Sequence, residues 1–256
     1  MIPIILALIL ISLIFAPLGC IALWKKYVYF GDGLAHASFL AASISIIANF
    51  PLIYSGIIVA VFFAIFVFIF KNYSGRNAVI SLISSFMLSL ALIINYLSSS
   101  QNNITNLLFG DILLVDFGDL ILLSMMLMLI ICFIGYFYNQ IILIIINRDI
   151  AVIKGIKVKT IELIFLLLLS LSVFSTIKIV GALMVTAILL IPPMTARFIS
   201  RTPLQMIILS IIISIFINFC GFIASFYLDI PLTPVIIIIG TFIYGIFYVG
   251  NVYKRR

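Results

Sequence analysis

The sequence predicts an all-α, polytopic transmembrane helical bundle of about nine spans, with its N-terminus outside and its C-terminus inside. Composition is the first reason: 66% of the 256 residues are hydrophobic and 8% are charged, whereas soluble domains run to about 45–50% and about 25%. So little polar surface cannot clothe a soluble globule, and a chain this rich in Ile, Leu and Phe does not stay disordered. Uninterrupted apolar runs such as residues 141–146 are the second reason. Barrel strands alternate between lipid and lumen, so these runs point to helices, which satisfy their own backbone groups in lipid. The third is the placement of charge. The net charge is +7, yet the basic residues are scattered between apolar runs instead of sharing one solvated face. The expected partner is therefore the lipid bilayer and not nucleic acid.

Crossing the hydrocarbon core takes about 20 mostly apolar residues. In chain order the candidates are residues 2–24, 27–48, 52–70, 78–98, 119–138, 161–177, 179–193, 206–227 and 233–250. The first is followed, not preceded, by Lys25 and Lys26, the reverse of a cleaved signal peptide. Residues 107–115 are apolar but too short to cross and read as a half-helix. Joining 161–193 into one long bent helix is the competing reading, and the positive-inside rule decides against it. With nine spans the inner loops carry Lys25 and Lys26; Lys71 and Arg76; Arg148, Lys154, Lys157 and Lys159; Arg197 and Arg201; and Lys254, Arg255 and Arg256. Thirteen of the 14 basic residues then lie inside, leaving Lys178 outside. Merging the sixth and seventh spans would put the last five outside. The outer loops 49–55, 98–106 and 229–232 are short, so residues 1–256 form one transmembrane domain. Cys20, Cys132 and Cys220 lie inside apolar segments at no metal-clip or disulfide spacing, and read as small buried hydrophobes.

Ionisable side chains inside a span are costly and mark function by default. The second span holds two, Asp32 and His36, in Phe30-Gly-Asp-Gly-Leu-Ala-His-Ala-Ser38. Four residues apart, they share one helix face a turn from each other. At about 1.5 Å per residue from Lys26, Asp32 lies roughly 9 Å deep and His36, the sole histidine, roughly 15 Å. A carboxylate and an imidazole suit Zn²⁺ or Mn²⁺, and a two-fold homodimer would bring two of each to its axis. So few ligands fit transit of a metal better than storage. Two other readings stand beside this one: a structural pair, with Asp32 capping the helix and His36 bonded to a backbone carbonyl, and a proton relay. Gly33, Ala37 and Ala41 have the small-xxx-small spacing of a helix-packing face.

Two further stretches break the apolar pattern. In Leu107-Leu-Phe-Gly-Asp-Ile112, Gly110 and Asp111 suggest a broken helix whose freed backbone must line protein or water; Asp111 is then either a cap or part of the permeation path. In residues 180–197, Pro192 and Pro193 are expected to stop a helix at the inner surface, because proline lacks the N–H and clashes with the preceding turn. Residues 194–201, with Arg197 and Arg201, then form either a short surface helix that docks a cytosolic partner or a plain charged turn. Thr202 and Pro203 restart a helix with a cap and a first-turn proline. There is no G-x-x-x-x-G-K-[ST] loop and no H-E-x-x-H, nor a G-x-S-x-G elbow, so the chain is not expected to be an enzyme.

Residues Trp24-Lys-Lys-Tyr-Val-Tyr-Phe-Gly-Asp-Gly-Leu-Ala-His-Ala-Ser-Phe-Leu40 resemble the signature of zinc/manganese-type ABC transporter permeases, with wording nearest the bacterial zinc-uptake members. Leu108-Phe-Gly-Asp111, residues 149–155, and residues 180–197 with Arg201-Thr-Pro203 are similar to that family in the same order. Gly33 departs from it, since the zinc permeases are expected to carry a hydroxyl residue there; glycine would loosen the helix beside Asp32. The resemblance implies a fold similar to vitamin-B12-type ABC importer permeases, in a bacterial plasma (inner) membrane. It implies a homodimer working with a cytosolic ATP-binding subunit and an extracytoplasmic metal-binding protein. It further implies that Asp32 and His36 line the metal path, and that a coupling region over about 193–206, with Pro193, Thr195, Arg197, Arg201 and Pro203, docks on the ATPase. Zn²⁺ is then the substrate, and no cofactor is permanently bound.

The mechanism expected is ATP-driven alternating access, with Asp32 and His36 of both copies as weak, exchangeable ligands. Affinity falls when His36 protonates, because only neutral imidazole coordinates. The same architecture importing Mn²⁺ or Fe²⁺ is the alternative. A proton-coupled secondary transporter and an intramembrane hydrolase using His36 as a base are rivals from other classes.

Overall fold

The computed structural model describes residues 2–49, 51–70, 75–97, 110, 112, 115–182 and 185–255, and ten helices account for most of these described residues. They are α1 (Ile2–Trp24), α2 (Phe30–Ala48), α3 (Leu52–Phe70), α4 (Arg76–Leu97), α5 (Phe117–Ile146), α6 (Arg148–Ile153), α7 (Val158–Val180), α8 (Val185–Ile199), α9 (Pro203–Leu228) and α10 (Leu232–Arg255). Among the described residues, eight of these are long and apolar enough to cross a membrane, and α8 is a shorter apolar helix of 15 residues. The expected half-helix at 107–115, including Asp111, lies mostly outside the described residues.

Local chemistry explains most of the helix ends. Thr202 caps α9 through its hydroxyl, which accepts the Gln205 N–H at 3.2 Å, and Pro203 follows as the first helical residue, as expected from sequence. Asp116 and Asp119 form a reciprocal capping box at the start of α5, satisfying amides that have no helical acceptor. The α5 helix runs to Ile146, well past the expected 119–138. Its 30 residues span about 45 Å against a hydrocarbon core of about 30 Å, so one end stands clear of lipid. Asn147 there caps α6 by accepting the N–H groups of Asp149 and Ile150. Helices α7 and α8 are separate, as the charge distribution requires. The break opens at Gly181, whose φ of +86° is costly for any residue with a Cβ.

Pro192 and Pro193 do not stop a helix. α8 runs through both to Ile199, so residues 194–199 are its last turns and no separate surface helix exists; only residues 200–202 link it to α9. The prolines remove the N–H groups that would bond the Ile188 and Leu189 carbonyls. The Leu189 carbonyl instead faces Gly19 of α1, where a Cβ would collide with it. The close approach of α1 holds α8 through the defect, a constraint that lies 170 residues away in the chain.

Two groups of helices pack side by side. α2, α3, α4 and α7 form one group, and α1, α8, α9 and α10 the other; α5 lies across α1 and α7. In the most apolar window of α1, 67% of residues are buried, against 17% for α5. Helix α1 is therefore central and α5 faces the surroundings along most of its length.

A buried ion cluster ties the groups together at the end where α1 finishes and α2, α4 and α7 begin. Glu162 of α7 is 2% exposed. Its Oε1 accepts the Lys25 ammonium at 3.2 Å and the Tyr27 hydroxyl at 3.4 Å, with the Arg76 guanidinium at 4.0 Å. Arg76 also donates to the Lys25 carbonyl at 2.7 Å and sits 5.3 Å from the centre of the Tyr27 ring.

Glu162→Gln leaves the Lys25 ammonium buried opposite a neutral group, and is expected to lower stability by about 3–5 kcal/mol. The double variant Glu162→Leu, Lys25→Leu removes both charges and should recover much of that loss; thermal unfolding in detergent measures both. Gly19→Ala forces α1 away from Leu189 and should cost about 1–3 kcal/mol in the same assay.

Candidate functional site

Helix α2 carries the candidate residues, and two glycines determine which way they face. Gly31 abuts Thr186 of α8, and a side chain at Gly31 would collide with the Thr186 hydroxyl. A Cβ on Gly33 would come within 2.6 Å of Ile80 Cγ2 on α4 and 2.8 Å of Phe63 Cζ on α3. Successive residues lie about 100° apart around a helix, so Asp32 falls between these directions and His36 lies within about 40° of Asp32. Leu34 and Ala37 are buried on the remaining sides. Asp32 and His36 are both partly exposed, on the one stripe of α2 that its neighbours leave open.

The structural roles considered for this pair are not filled. Tyr29 occupies the N-cap of α2 without a side-chain bond, and Asp32 lies in the first turn. Among the described residues, Asp32 makes no hydrogen bond or ion pair, and His36 Nδ1 is buried without a partner. The pair thus offers a carboxylate and an imidazole Nδ1 that no other side chain or backbone group among the described residues engages. No group of three His, Cys, Asp or Glu side chains that could hold a metal ion converges among the described residues.

Gly33 does not loosen the helix, contrary to the expectation from its departure from the family pattern. α2 is continuous from Phe30 to Ala48, and Gly33 is the point where the Phe63 ring and Ile80 pack against it. Ala37 and Ala41 are fully buried on the same face.

The three sequence stretches meet through glycine contacts. Gly110 (φ +64°) lies against the backbone of Val180 and Gly181, where a Cβ would have no room. Five residues after Gly181, Thr186 contacts Gly31, the neighbour of Asp32. Asp111 itself is outside the described residues.

The residues considered for coupling divide by exposure. Pro193 and Thr195 are buried in α8, with the Thr195 hydroxyl donating to the Ile191 carbonyl at 2.8 Å. Arg197, Arg201 and Pro203 are exposed around the link between α8 and α9. Arg197 also borders a cavity of 350 Å³ with Met194, Phe198, Tyr244 and Tyr248. The rings of Tyr244 and Tyr248 stack there, and Phe198 packs on both.

Two ionic features were missed from sequence. Glu162 is the only glutamate, and it stands at the edge of an expected span; the rule that selected Asp32 selects it too. Lys178, expected as a lone outer charge, lies in the last turn of α7, 2.7 Å from Asp119 and 3.5 Å from Asp116. The Asp119 backbone N–H, helped by the Lys178 ammonium, holds the Asp116 carboxyl below the usual carboxylate range.

Known proteins are similar to this chain in sequence and in fold. The high-affinity zinc uptake system membrane protein ZnuB of Buchnera aphidicola subsp. Acyrthosiphon pisum is 35% identical over 93% of this chain and 92% of its own length. The ZnuB protein of Haemophilus influenzae is 30% identical over 99% and 97%. The solved structure of PsaBC from Streptococcus pneumoniae in complex with Fab is similar with a TM-score of 0.83, at 21% identity, covering 96% of this chain and 89% of that one. Residues 1–250 match the ABC 3 transport family, and with that match covering all but the last six residues the chain belongs to this family.

Proposed function

We propose that this chain is the membrane-spanning permease subunit of an ABC importer that takes up a divalent metal ion, Zn²⁺, by ATP-driven alternating access. The observation that carries the reading is the Asp32–His36 pair, one turn apart on the open stripe of α2 with no partner among the described residues. An ionised or strongly polar pair has no reason to face lipid, so the stripe belongs on a water-filled or protein-lined path. Two copies of the chain related by a two-fold axis supply two carboxylates and two imidazoles, a donor set suited to Zn²⁺. With two ligands from each copy, separation of the copies divides the site, and the ion is released instead of stored.

The relatives named above support zinc as the cargo, since both are described as zinc uptake proteins. Energy comes from a separate cytosolic ATP-binding subunit, and the ion arrives on an extracytoplasmic binding protein at a bacterial inner membrane. The coupling surface lies around the link between α8 and α9, with exposed Arg197, Arg201 and Pro203 as its contacts. Pro193 and Thr195, buried in α8, transmit movement of that link into the helix that touches α2.

In the complete complex reconstituted in vesicles, His36→Ala should reduce zinc uptake about tenfold or more, since even outer-shell ligand partners are worth about 10–100-fold. Unchanged uptake would refute the path role. Zinc should stimulate ATP hydrolysis by the complex more than manganese does at equal concentration; a reversed order would contradict zinc as cargo. Replacing Arg197 and Arg201 with Glu should lower co-purification of the ATP-binding subunit.

A further inference from the structure

Thr186 is a polar side chain to which none of the roles above is assigned. Its hydroxyl oxygen lies against Gly31 and is buried without a hydrogen-bond partner among the described residues. A threonine inside a helix ordinarily donates to a carbonyl three or four residues back, as Thr176 and Thr195 do here. The carbonyl four residues before Thr186, that of Ala182, lies before α8 begins. Burying an unpaired hydroxyl is unfavourable, and valine would fill the same space without that penalty. The neighbouring helix presents the complementary deficit: Asp32, one residue beyond Gly31, is an acceptor with no donor among the described residues.

We infer that Thr186 is a positioning residue of the metal path, whose hydroxyl donates to the Asp32 carboxylate when α2 and α8 shift during transport. Asp32 follows Gly31 directly, its Cα about 3.8 Å away, so a slide of α8 toward the open stripe brings the Thr186 hydroxyl to the Asp32 carboxylate while α2 keeps its contacts at Gly33. The hydroxyl then fixes one carboxylate oxygen and leaves the other for the cation, the usual arrangement around a ligating carboxylate. The α2–α8 contact through Gly31 accounts for the position of Thr186. The inference rests on the assignment of Asp32 and His36 to the path.

The test uses the complete complex, reconstituted in vesicles, with zinc uptake measured against zinc concentration for Thr186→Val and Thr186→Ser. Thr186→Val should unfold no earlier than the natural chain, because it loses no bond in the arrangement described. Its KM for zinc should rise about tenfold, the size expected for one hydrogen bond to a charged group. Thr186→Ser, which keeps the donor, should stay near the natural KM. In an Asp32→Asn background, Thr186→Val should add much less, because the charged acceptor is gone. A natural KM in Thr186→Val overturns the inference, as does an equal loss in Thr186→Ser, which would mark the methyl group and its packing instead. His36→Ala run in parallel separates the two levels. If it impairs uptake while Thr186→Val does not, only the role of Thr186 falls; if it leaves uptake intact, the path assignment falls first.

Discussion

Helix α2 is packed on all but one stripe, and the remainder of the site follows from that constraint. Glycine at 31 admits the wall of α8, and glycine at 33 admits Phe63 and Ile80 from α3 and α4. Between these contacts the helix cannot rotate freely without driving side chains into its neighbours. The face that remains open carries the only histidine of the chain and an aspartate one turn away. In lipid such a face would be strongly unfavourable, so the packing of α2 constrains the assembly as well as the subunit. The stripe has to meet water or another protein surface.

Helix α7 complements α2 by carrying an ionic tie at each end. Glu162, near its start, is enclosed with Lys25, Tyr27 and Arg76, where the loss of one partner leaves a buried charge uncompensated. Lys178, in its last turn, meets Asp116 and Asp119 in a more exposed setting, where solvent and salt screen the attraction. The two ends therefore differ in how readily they part. The Glu162 end holds the link that leads into Asp32, so the approach to the proposed metal site is anchored firmly. The opposite end can separate at little cost, which suits a transporter that must open to both sides in turn.

Much of this is legible in the sequence because charge is scarce. Asp32 and His36 stand out in an apolar run, and the distribution of Lys and Arg alone separates α7 from α8. The Thr202–Pro203 start of α9 is legible for a local reason, since a cap needs only its own first turn. The path of α8 through Pro192 and Pro193 is not, because it depends on Gly19, a residue of another helix that accommodates the Leu189 carbonyl. The overlong α5 escapes too, since apolar content marks the stretch that suits lipid and not how far a helix continues beyond it. Glu162 is visible as the sole glutamate, but its position at the edge of a span makes it resemble a loop charge. That Asp32, His36 and Thr186 lack partners among the described residues has no sequence signature, because it records which groups fail to meet in three dimensions.

The central claim is that Asp32 and His36 of two copies together hold the cation in passage. X-ray absorption at the zinc edge, on the complete complex trapped with zinc in the membrane domain, reads the ligand shell directly. The account predicts nitrogen and oxygen ligands, about two of them imidazoles as for a four-ligand zinc site, with the imidazole signal lost in His36→Ala. A sulfur shell, or an imidazole signal that survives His36→Ala, would contradict it.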